Sequence, residues 1–205
     1  MAVLSIRSAA VAAVLAAGSL ASATVYTDLA SFLANTQPGY YFNNFSSVGA
    51  GPSGPLAFGP VNGYSYVVDT IGPGNTAPTS GLYNNPGVIS TDNATDLIRV
   101  TFTGAPVTAV GGNFWGTDIN FGAIPTTVTI ALSNGDVETF VTNSSTAFRG
   151  FTSNVVITSL TIDAADSPGF NWSTMDNLYV GAAVPAPASL ALVGLGGLAA
   201  IRRRR

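Results

Sequence analysis

The chain has 205 residues, 47% of them hydrophobic and only 8% charged, and it contains neither histidine nor cysteine. These absences exclude a Ser–His–Asp triad, thiolate nucleophiles, disulfides, and zinc or iron–sulfur sites built on His and Cys. Across residues 24–184 two arginines, Arg99 and Arg149, stand against all ten carboxylates for a net charge of −8, a balance that repels phosphate backbones and argues against nucleic acid as a partner.

The length suits one domain with appendages. In residues 1–23, Arg7 supplies a positive start, residues 9–17 are apolar, and Ala21-Ser22-Ala23 places small residues at both recognition positions of a signal peptidase. That order of features predicts a signal helix, cleaved between Ala23 and Thr24. Residues 27–34 read as a short helix: Thr27 or Asp28 caps it, and Leu29, Phe32 and Leu33 form its apolar face.

Strand signals dominate from there. YYFNNF (40–45) and YSYVVD (64–69) flank a loop, GAGPSGP, and residues 72–87, with three prolines, read as an irregular surface stretch. In LIRVTF, Ile98, Val100 and Phe102 point one way and Arg99 and Thr101 the other; in TTVTIAL, Val128, Ile130 and Leu132 share a face. Ser133-Asn134-Gly135-Asp136 predicts a tight turn into VETFV, Asn-Gly being the preferred pair of a type I′ hairpin. Further strands are expected at 107–115, 148–151, 157–162 and 175–180. The expected fold is mainly β: an antiparallel β-sandwich over residues 24–183 with a short N-terminal helix.

Residues 188–201 are apolar or small and are followed at once by Arg202, Arg203, Arg204 and Arg205. Fourteen residues make a helix of about 21 Å against about 30 Å of hydrocarbon, too short to span comfortably. Cations beside an apolar segment stay on the cytoplasmic face, so the tail predicts a membrane-held C-terminus with the central domain outside. Val184-Pro185-Ala186-Pro187, then a Gly/Leu/Ala run, then the arginine cluster, resembles a PEP-CTERM sorting signal, with Ala186 in the place of the motif's glutamate. The resemblance covers residues 184–205. It implies an exported bacterial protein, anchored for a time in the inner membrane and processed near Pro185, Ala186 and Pro187 by an exosortase-like enzyme. Its destination would be the cell surface or an exopolysaccharide matrix. More loosely, the order of the capped helix, the FNNF strand, PVTAVGGNFWG, the SNGD hairpin and MDNLYVG is similar to the jelly-roll-like ectodomains of such proteins and to carbohydrate-binding modules.

Candidate chemistry is sparse. Alternation through MDNLYV puts Asp176 on the face of Leu178 and Val180, and a carboxylate buried there needs a partner. Arg149, a structural calcium, or the backbone N–H groups of residues 172–174 would each serve. Calcium, however, takes six to eight oxygens. Tyr64, Tyr66, Tyr83, Phe114, Trp115 and Trp172 are candidates either for a sugar-stacking platform or for the core. Asp69-Thr70-Ile71-Gly72 is not the Asp-Thr-Gly of aspartic proteases, and a glycosidase needs two suitably placed carboxylates. A non-enzymatic protein is expected, with a polysaccharide-binding module as the alternative and a secreted glycoside hydrolase behind it.

Overall fold

The computed structural model describes residues 22–166 and 170–185. The predicted signal helix and the hydrophobic helix of residues 188–201 fall outside these residues. In chain order the elements are β1 (Thr24–Tyr26), α1 (Leu29–Ala34), β2 (Tyr41–Asn43), β3 (Gly51–Ser53), β4 (Leu56–Val61), β5 (Tyr64–Ile71), β6 (Leu82–Asn85), β7 (Val88–Thr91), β8 (Leu97–Phe102), β9 (Val107–Thr117), β10 (Ala123–Ile124), β11 (Thr126–Leu132), β12 (Val137–Thr142), β13 (Phe148–Ile157), β14 (Ser159–Ala164) and β15 (Trp172–Gly181).

Two antiparallel sheets form a β-sandwich, as expected. One runs β1-β13-β9-β15-β7-β6-β3, with β10 on β9 and β2 on β15; the other runs β12-β11-β14-β8-β5-β4. Alternation explains the core. Val68, Ile98, Val100, Ile130, Leu160 and Ile162 from the six-stranded sheet meet Ile89, Val110, Phe114, Met175, Leu178 and Val180 from the nine-stranded sheet, all of them buried. Among the described residues α1 is the one α-helix, and it is capped at Asp28, one of the two expected positions. Asp28 Oδ1 accepts from the Ser31 N–H at 2.8 Å, and Phe32 is fully buried.

Four departures from the sequence reading have physical causes. Residues 51–53, inside the GAGPSGP loop, form β3, a sheet-edge strand where Pro52 is tolerated because no neighbour needs its missing N–H. The stretch 72–87 is not all surface: β6 runs through it, burying Leu82 and Asn84. The 157–162 segment is two strands in different sheets, broken at Thr158. The SNGD turn is a three-residue loop rather than type I′. Gly135 at φ 94 is its one positive-φ residue, and Leu132 faces Asp136 across it with a 2.8 Å bond.

Candidate functional site

The outer face of the nine-stranded sheet is divided. At one end α1 lies across it, and Phe32 packs with Phe148, Tyr179 and Ala109. The helix can come so close because Gly150 offers no Cβ; one built there would sit 2.5 Å from Phe32 Cδ2. At the other end none of the described residues forms a helix over the sheet, and a cleft of about 340 Å³ opens.

Register builds this cleft. Tyr83 on β6 pairs with Ser90 on β7, Ser90 with Thr174 on β15, and Trp172 with Thr117 on β9. Ser90, Thr174 and Thr117 are therefore neighbours on one face, and their hydroxyls form a chain with 3.0 Å steps. Trp172 stands over this floor, its ring fixed by an Nε1–H donated to the Asp92 carbonyl at 3.2 Å. Phe121 and Tyr83 approach with centroids 6.0 Å apart, and Phe170 lies 6.5 Å from Trp172. Asp118 shapes the rim: its Oδ1 accepts from the N–H groups of Asn120 and Gly122, both at 2.8 Å. Asp92 is exposed beside it. Thr91, only 1% exposed, borders the cleft, but it pairs with core residue Leu82, so its side chain lies on the inner face, where its hydroxyl has no hydrogen-bond partner among the described residues.

Of the aromatic candidates, the structure brings Tyr83 and Trp172 together here. Tyr66, Phe114 and Trp115 are buried, and Tyr64 packs partly buried against the core. Burial pushes the Tyr66 hydroxyl far above the usual tyrosine range, against a bond donated by Asn43 Nδ2 at 2.9 Å. A larger hollow of about 510 Å³ sits beside Arg99 and Asp69. Its charges satisfy each other through a two-pronged pair at 2.9 and 2.6 Å, and none of the described residues lining it is aromatic.

Asp176 is not where alternation puts it. Asn177, at φ 53, forms a β-bulge that shifts the register between Asp176 and Tyr179. The extra residue sends Met175 and Leu178 inward and leaves Asp176 half-buried on the outer face. Its oxygens accept from the backbone N–H and the Nδ2 of Asn177, not from residues 172–174, which are strand. Desolvation raises its pKa above the usual carboxylate range, partly offset by that N–H bond. Arg149 is not its partner. That guanidinium pairs with Glu138 at 3.3 Å and lies 3.8 Å over the Phe140 ring. Among the described residues no group of three acidic side chains gathers as a metal site would require.

The chain leaves the sandwich under tight control. Ala183 bridges Thr36 and donates its N–H to Thr108 Oγ1 at 2.8 Å, and the Val184 N–H donates to the Asn35 carbonyl at 2.9 Å. Val184 and Pro185 are then exposed. At the other terminus Thr24 pairs with Thr152, which itself pairs with Ala109, next to Thr108. The Ala23 N–H donates to Asp136 at 2.6 Å. Both ends thus meet the sandwich at one pole. Ala21, Ala186, Pro187 and the four terminal arginines lie outside the described residues.

Fold and exit together define a β-sandwich domain with an appended C-terminal segment that begins in the open. The family model of the PEP-CTERM protein-sorting motif matches residues 183–205, starting at that exit. The chain carries this motif, which indicates export, membrane-anchored sorting and processing by an exosortase. No curated protein matches the chain.

Proposed function

We propose that the protein is a non-enzymatic component of the cell surface or extracellular matrix that associates with exopolysaccharide. A signal peptidase cuts after Ala23, and the tail holds the domain in the inner membrane. An exosortase-like enzyme then processes the chain near Pro185, Ala186 and Pro187, and the β-sandwich of residues 24–183 is the part that persists outside. The observation that carries this reading is the match of the sorting motif to residues 183–205, starting where the chain leaves the sandwich.

The absence of histidine and cysteine leaves carboxylates as the principal candidates for acid–base work. The pair that shares the cleft is already engaged on one side, since Asp118 holds its own loop. That favours display over hydrolysis. Mass spectrometry of the protein recovered from producing cells tests both ends at once. A mature chain starting at Thr24 and lacking the arginine cluster is expected; recovery of Met1 or of Arg205 in the extracellular form overturns the scheme. Replacing Arg202, Arg203, Arg204 and Arg205 with serine is expected to release the protein from the membrane fraction early.

A further inference from the structure

The aromatic cleft lies at the pole opposite the points where the chain enters and leaves the sandwich, at Thr24 and Ala183. Thr108 marks the exit pole and Thr117 lines the cleft, nine residues apart on β9, or about 30 Å at strand rise.

We propose that this cleft binds an uncharged polysaccharide, with sugar rings stacked on Tyr83 and Trp172. The proposal rests on the polysaccharide association inferred above and supplies its site and the class of glycan. Three observations point there. Tyr83 is 39% exposed and Phe170 75%, next to a Trp172 whose ring is already fixed; pre-positioned aromatic faces suit the apolar faces of sugars and lose little freedom on binding. The rim offers carboxylate oxygens of Asp92 and Asp118, and Asp118 Oδ2 accepts no hydrogen bond from the described residues, so a ligand's hydroxyls find acceptors. Finally, the described residues lining the cleft carry two negative charges and no positive one. Uronates, sulfated and phosphorylated glycans are repelled, whereas a neutral glycan is not. The volume of about 340 Å³ is at the small end for ligand sites, which run from roughly 300 to 1,000 Å³. It fits a short stretch of a chain that runs on into solvent.

Affinity electrophoresis of the detergent-solubilised full chain tests this. The gels would hold hydroxyethylcellulose, galactomannan, dextran, polygalacturonate, or the polysaccharide shed by the producing cells. Retardation by the shed polysaccharide and at least one uncharged glycan is expected, with none by polygalacturonate. Tyr83→Ala and Trp172→Ala should each weaken it about tenfold, the worth of one aromatic contact. Titration should also change the emission of Trp172, while Trp115, 3% exposed, stays silent. Should Trp172→Ala fail to fold, Tyr83→Ala on the sheet surface carries the test. Retention by the shed polysaccharide that both variants keep in full sinks the cleft and spares the association. No retention of the unaltered chain by that polysaccharide sinks the association itself. Retention by polygalacturonate alone overturns the charge argument, and release of reducing ends from any probe overturns binding without hydrolysis.

Discussion

The two ends of the nine-stranded sheet's outer face solve one problem in opposite ways. Both carry aromatic side chains that water would rather not meet. At the α1 end the chain covers them itself: Phe32 is fully buried against Phe148 and Tyr179, and glycines at 111 and 150 give the rings room. At the cleft end Tyr83, Phe121 and Trp172 stay open over a hydroxyl-lined floor. The contrast separates what the fold buries for itself from what it leaves accessible. Aromatics sealed by their own chain add to folding free energy, while aromatics left open are available to something else.

The sharpest way to break this contrast is to truncate one aromatic at each end. Phe32→Ala removes a fully buried ring and is expected to cost about 3–5 kcal/mol of folding stability. Tyr83→Ala, at a partly exposed edge site, should stay within about 1 kcal/mol. Urea unfolding followed by circular dichroism checks both. Equal losses would mean that the cleft aromatics are structural, and the division of the face would collapse.

A smaller effect tests the close approach of the helix. At Gly150 an added Cβ meets Phe32 Cδ2 at 2.5 Å and Cγ at 2.7 Å. Gly150→Ala is therefore expected to lift α1 and cost about 1–3 kcal/mol through overpacking, leaving the cleft intact. Paired with Phe32→Ala the cost should largely vanish, because the ring it strikes is gone.

How much of this was legible in the sequence differs between the two ends. The sealed end was: a cap at Thr27 or Asp28 and Leu29, Phe32 and Leu33 as apolar face follow from local rules, and so do the strands LIRVTF and TTVTIAL, whose alternation is unbroken. The open end was not. Tyr83, Ser90, Thr91 and Asp92 come from or border a hairpin: β6 is hidden in residues 72–87, whose prolines read as a loop, and β7 lies just beyond that stretch, where no strand was expected. Its strands exist because the sheet partners at Thr174 and Met175 hold them, a long-range term that local propensity does not contain. Trp172 was visible as an aromatic, but its nearness to Tyr83 needed the register. Asp176 failed for a related reason, since a bulge leaves no mark in a hydrophobic pattern except Asn177, one of the few residue types that accept a positive φ.

That bulge lies between the two ends and gives the next prediction. Asn177→Ala should cost about 1–2 kcal/mol, from a left-handed conformation that alanine resists and from the lost Nδ2 bond to Asp176. Asn177→Gly keeps the backbone freedom and should recover most of it. A glycine variant as weak as the alanine one would place the whole effect on the side-chain bond.

The smallest expected effect is a pH dependence from Asp176, on the strip between the sealed and open ends. Desolvation raises its folded pKa above the unfolded reference of 3.8, with the Asn177 N–H opposing. Between these two values the folded protein holds more protons than the unfolded chain, so stability falls as pH rises through the window and stays lower at neutral pH. Asp176→Asn removes that fall. Its Oδ1 still accepts the Asn177 N–H, and the Asn177 amide can turn its own oxygen toward the new NH₂ group. The variant should gain stability at pH 7, by less than about 1 kcal/mol because the site is partly solvent-screened. Its advantage should disappear below pH 3.8. Denaturant midpoints for both proteins across pH 3 to 7 read this directly. A variant weaker than the parent at pH 7 would mean that the carboxylate's charge is used on this face, and the strip would then belong with the open end rather than the sealed one.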